Sequence, residues 1–96
     1  MAEEERQRSE EELLEQIRLL KVSDILVTTM ATMAQLAYAK LAEEARDLEQ
    51  AHLAIEALRA LLPVLEGHTP EDVLRDYRQV VSNLQLAYAE AAAAGA

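Results

Sequence analysis

The segment Glu66-Gly67-His68-Thr69-Pro70-Glu71-Asp72 reads as one helix ending and another beginning within a few residues. Glycine enters the left-handed conformation that closes a helix without the steric penalty of a side chain. Thr69 is placed to cap the next helix and Pro70 to occupy its first position, where a missing N–H costs nothing. Glu71 and Asp72 then fall in its first turn, facing the positive end of the helix dipole. Two amphipathic runs joined this closely form an antiparallel helical hairpin, which commits the chain to helix packed on helix.

The side chains available for packing agree with that commitment. Apolar residues make up 51% of the 96, yet Phe and Trp are absent and there are only three Tyr, so the core is aliphatic and alanine-rich. A chain this short forms one domain and buries a smaller share of its surface than a larger protein, so a partner chain is a natural source of stability. The net charge of −9 repels phosphate backbones and anionic lipid, and the nine basic residues are scattered among eighteen acids. Nucleic acid and membrane surfaces are therefore not expected as partners. Without cysteine there is no disulfide framework and no thiolate chemistry. The opening Met1-Ala2-Glu3-Glu4-Glu5 lacks the features of a secretory signal, and the expected location is the cytoplasm. The uncharged run from Ile25 to Ala39 is shorter than the ~20 apolar residues that span a bilayer and includes threonines and a glutamine, which suits a buried helix.

Periodicity divides the rest. Residues 1–9 are acidic, carry almost no apolar surface and are expected as a flexible tail, leaving 10–94 as a single helical domain. Ser9-Glu10-Glu11-Glu12 fits a capping box before Leu13, Ile17 and Leu20, giving a short helix over about 10–21. Ser23-Asp24 offers a cap for a second helix over about 24–44, although one bent helix through this point satisfies the same pattern. On that helix Leu26, Met30, Met33, Ala37 and Leu41 form a stripe, with Ile25, Thr29 and Leu36 beside it; so wide an apolar arc is more than one hairpin covers.

Asp47 caps the third helix, about 48–66. Leu48, Ala51, Ile55, Leu58, Leu62 and Leu65 form its stripe, and Leu53, Ala57, Leu61 and Val64 widen the buried arc. Pro63 falls on the polar side, where water can solvate the carbonyl it leaves unbonded and the helix is expected to bend. The fourth helix, about 70–92, carries Val73, Tyr77, Val80, Leu84, Ala87 and Ala91, begins with a Glu71–Arg75 pair, and frays in its alanine tail. The word Gln-Leu-Ala-Tyr-Ala occurs at 35–39 and again at 85–89, either by chance in alanine-rich helices or because both bring backbones close.

Chemistry-bearing patterns are few. Glu49-Gln50-Ala51-His52 has the Glu-x-x-His spacing of di-iron bundles, but that site needs a second copy and two more inward carboxylates, and none is present. His68 lies in the turn, suited to solvent or to the carbonyl end of the preceding helix. No serine has a nucleophile-elbow context and no glycine-rich phosphate loop exists. No catalytic, cofactor or metal residue is assigned.

Asp47-Leu48-Glu49-Gln50-Ala51, Ala54-Ile55-Glu56-Ala57-Leu58, Leu61-Leu62-Pro63-Val64-Leu65-Glu66 and Leu84-Gln85-Leu86-Ala87-Tyr88, with the opening Val22-Ser23-Asp24-Ile25-Leu26, resemble the small bacterial proteins grouped as domain of unknown function 1844. The resemblance spans about residues 22–92. It implies a compact, acidic, helical bacterial protein without assigned activity, cofactor or catalytic residues, and His52 stands where it leads one to expect arginine or lysine.

The expectation is an all-α protein, a small antiparallel bundle of three main helices plus a short N-terminal helix, completed by self-association. Its function would be that of a non-enzymatic homo-oligomer, a dimer first. The expected interface residues are Ile25, Leu26, Thr29, Met30, Met33, Leu36, Ala37 and Leu41. The alternative is a small adaptor or regulator that takes a partner protein's helix into an apolar groove near Met30 and Met33.

Overall fold

The computed structural model describes residues 2–95, and these are helical throughout except for short connections. Helix α1 runs Ala2–Leu19, α2 Val22–Leu41, α3 Leu48–Leu65 and α4 Glu71–Gly95, with one 3-10 turn at Glu43–Ala45 between α2 and α3. The four α-helices match the expected number, and the boundaries differ in instructive ways.

The start of the chain is the largest correction. Residues 2–9 belong to α1 rather than to a tail, and Ser9 lies inside that helix instead of capping it. Glu, Gln and Arg are strong helix formers, and Glu3, Glu4 and Glu5 sit in the first turn, where the helix dipole favours them. Propensity thus carries the helix into a segment with nothing to bury. The chain then breaks into two helices bent by 81°. Lys21 is extended at φ −90° and ψ 131°, and its carbonyl accepts from the amides of Asp24 and Ile25. Ser23 and Asp24 therefore occupy the first turn of α2, two and three positions past the cap at Lys21.

At its other end α2 stops at Leu41 rather than near 44. Arg46 Nε donates to the Leu41 carbonyl at 3.4 Å and the Asp47 amide to that of Lys40 at 2.7 Å, so the orphan carbonyls of the last turn find donors from the connection. Asp47 then caps α3 as expected, its Oδ1 accepting from the Gln50 amide at 3.2 Å.

The α3–α4 turn follows the sequence closely. Gly67 has φ +81°, the only positive φ among the described residues, and the His68 amide donates to the Leu65 carbonyl at 2.9 Å. Pro70 stands immediately before α4, its carbonyl accepting from Val73 and Leu74, so the helix begins one residue later than expected. Glu71 pairs not with Arg75 but with Arg78, at 3.0 Å, and the same guanidinium reaches Glu66 at 3.3 Å across the turn. The hydrogen bond with Glu71, with the charges of Glu71 and Glu66 adding, holds Arg78 above its ordinary pKa. Pro63 is exposed and α3 continues through it to Leu65. The alanine tail stays helical to Gly95, with Ala91 seated in the core.

The packing is antiparallel. Residues Met33, Leu36 and Lys40 of α2 face Gln50, Leu53 and Ala57 of α3, while Val22 and Leu26 face Val64 and Leu65. On the other side His52 of α3 lies against Tyr88 of α4, and Glu66 against Arg78. Helix α3 packs on both neighbours, and α2 also meets α4. Met30, Leu58, Leu65, Leu74 and Leu84 are fully buried at the centre, and every buried residue among those described is hydrophobic. Helix α1 packs against none of the others. That projection gives a radius of gyration of 18.6 Å, well above the ~12 Å expected of a compact domain of this length.

Gly67→Ala should lower stability by about 1 kcal/mol, the cost of a left-handed L-residue, and Gly67→Asn by less. A Cβ at Gly67 would meet nothing within 4 Å, so the loss is conformational alone. Urea unfolding of the two variants checks this; a loss of several kcal/mol in the alanine variant would show that contacts, rather than backbone conformation, decide the position.

Candidate interaction surface

The residues expected at an interface divide into two sets. Met30, Ala37 and Leu41 lie in the chain's own core and are unavailable to a partner. Leu26 and Met33 are half-buried and pack on that core from its edge. Ile25, Thr29 and Leu36 face outward, with Ile25 49% and Leu36 43% exposed. The two sets follow from the helix repeat. Positions 30, 37 and 41 are buried in the core, while 22, 25, 29 and 36 recur at helical spacing on an exposed flank about a third of a turn away.

The outward face of α2 is more apolar than its residue types suggest. Thr28 Oγ1 donates to the Asp24 carbonyl at 3.0 Å, Thr29 Oγ1 to Ile25 at 2.8 Å and Thr32 Oγ1 to Thr28 at 3.2 Å. Each hydroxyl is occupied by the preceding turn of its own helix. The methyl groups are then the part of these side chains left for contact.

Helix α3 contributes the other wall. Leu53 and Val64, expected inside the buried arc, are 62% and 59% exposed, while Ala57 and Leu61 are half-buried. The reason is geometric: α2 and α4 cover the arc of α3 that carries Ile55, Leu58 and Leu62, and Leu53 and Val64 fall at the edge of that arc. An apolar seam therefore runs along the α2/α3 pair. Near the α1–α2 break it widens into a groove of about 440 Å³ walled by Val22, Leu26, Val64 and Leu65, with Lys21 and His68 at the rim. Towards the other end a second groove, about 250 Å³, lies between Met33, Leu36, Leu53 and Ala57, with Lys40 and Gln50 at the rim. Lysine is thus the one type of formally charged residue in both linings, in a chain where acids outnumber bases two to one.

Helix α1 carries a matching surface that its sequence shows only in part. Leu13, Leu14, Ile17 and Leu19 are each more than half exposed, as is Leu20 just beyond the helix, and α1 packs on none of the other helices. The periodicity of this stripe is legible from the sequence, but the absence of anything beneath it is not.

The polar clusters do not assemble into a reaction centre. His52 Nε2 stands 3.8 Å from Glu56 Oε1, and its ring lies 5.6 Å from that of Tyr88; Glu56 also pairs with Arg59 at 2.9 Å. These side chains lie at the surface, on the polar face of α3. Among the described residues no three His, Cys, Asp or Glu side chains come together as a metal site. No single helix there is long and apolar enough to cross a membrane.

Against models of protein families, curated proteins and solved structures, the chain finds no match.

The division into core and seam makes a direct prediction. Leu36→Lys and Leu53→Lys should each change the unfolding free energy of the isolated chain by no more than ~0.5 kcal/mol, as exposed substitutions do. Met30→Lys should prevent folding, since an ammonium with no partner would be buried. Thermal melts followed by circular dichroism at high dilution separate the two groups; equal loss in all three would place Leu36 and Leu53 in the core.

Proposed function

We propose that this chain is a non-enzymatic, self-associating helical module of the cytoplasm, akin to the acidic helical proteins of domain of unknown function 1844. The observation that carries the reading is α1: eighteen residues of helix that touch nothing else in the chain and display four large aliphatic side chains to solvent. Propensity helps hold such a helix, but most helices in proteins draw their stability from burying one face, and α1 buries none. The uncovered seam of α2 and α3 supports the same reading, since both surfaces are apolar and contiguous.

Chemistry supports the non-enzymatic part. The narrower groove is lined mainly by aliphatic groups, and the wider one sets Lys21, Ser23 and His68 beside four aliphatic side chains, without the buried polar groups that orient a reacting substrate. A second reading is an adaptor that receives a helix of another protein beside Met33, whose flexible thioether lines the narrower groove. It shares the surface but requires the chain alone to be monomeric. Met30, buried in the core, takes no part in either reading.

Sedimentation equilibrium between 1 and 100 μM decides between them. Self-association gives a mass of twice the 10.7 kDa of one chain, with dissociation on dilution. A constant mass of 10.7 kDa across the range rejects self-association and favours the adaptor.

A further inference from the structure

We infer that two copies exchange their α1 helices, the apolar end of α1 from each chain lying along the α2/α3 seam of the other as the fourth helix of a bundle. This rests on the self-association proposed above and specifies its geometry. Four observations converge on a second copy as the occupant of the seam.

The first is complementary need. Helix α1 has an apolar stripe with no surface to cover, and α2/α3 has an apolar seam with no helix to cover it. Three helices already pack together, and one more in the seam completes the bundle arrangement in which each helix buries a face. The second is length. At 1.5 Å per residue the eighteen residues of α1 span ~27 Å, equal to α3 and close to the ~30 Å of α2.

Charge is the third. Over residues 10–19, which include its apolar end, α1 carries four acids and one base, whereas the linings of the two grooves hold Lys21 and Lys40, with His68 at one end and no carboxylate. An acidic helix is therefore met by cations on a chain of net charge −9. Direction is the fourth. Helix α1 leaves α2 at 81° and packs on none of its own chain's helices, so it leaves its own seam uncovered. Reciprocal exchange about a two-fold axis uses both helices and both seams, which closes the assembly at two chains.

The chain has no cysteine, so the arrangement can be read by site-directed disulfides. One copy carries Ile17→Cys; a second carries Val64→Cys, Leu53→Cys or, as a control on α4, Leu86→Cys. All four positions are more than half exposed, so each variant should fold. After mixing and mild oxidation, Ile17→Cys is expected to link to the Val64 or Leu53 variant at least tenfold more than to the Leu86 variant. Ile17→Glu in otherwise unaltered protein should raise the dimer dissociation constant at least tenfold while leaving the isolated chain folded.

A wild-type dimer in which Ile17→Cys links only to itself overturns the exchange and leaves self-association standing, through α1 pairing. So does a single chain bearing both Ile17→Cys and Val64→Cys that closes its disulfide internally at the monomer mass. A wild-type protein that stays monomeric throughout overturns both proposals together.

Discussion

Helix α3 is the member on which the other two helices of the bundle depend. It buries Ala51, Ala54, Ile55, Leu58, Leu62 and Leu65, more positions than either neighbour, and its polar edge keeps His52, Glu56 and Arg59 in solvent. With no Phe or Trp to fill space, contact must come from many aliphatic groups at close range, and four buried alanines bring the backbones near enough. Everything else is arranged around this axis. Asp47 sets where it starts, Gly67 where it ends, and Arg78 ties that end to the start of α4.

The same economy produces the exposed seam. The apolar arc of α3 is wider than α2 and α4 together cover, which leaves Leu53 and Val64 exposed. Helix α2 faces the same problem, and its threonines ease it by turning their hydroxyls onto their own backbone. The surface so formed needs no polar partner. It is well suited to an apolar helix and poorly suited to a polar ligand.

How much of this could be read from the sequence depended on whether the signal was local. Gly67, Pro70 and Asp47 declare their roles through backbone conformation and a single hydrogen bond, both decided within a few residues. The alternation of Leu58, Leu62 and Leu65 likewise marks a face. Leu53 and Val64 have the same chemistry as those residues and differ only in what lies opposite, which no spacing rule contains. Residues 2–9 mislead for another reason: they have no apolar surface to bury, yet Glu, Gln and Arg hold a helix by propensity and Glu4 stands four residues before Arg8. The partition of the expected interface followed the same logic. Its apolar stripe is real, but Met30 and Leu36 lie on opposite sides of it.

The uniformly hydrophobic interior has a consequence for how these helices find their alignment. A buried hydrogen-bonded pair penalises every register but one, since sliding leaves a polar group without its partner. Here every buried residue among those described is hydrophobic, so that penalty is absent. Alignment must instead be enforced by size, with Ala37, Ala51, Ala54 and Ala91 as the notches and the leucines and Met30 as the teeth. In such a lock the smallest side chains hold the most information, and an added methyl group at a notch would disturb the fit more than the loss of one at the surface.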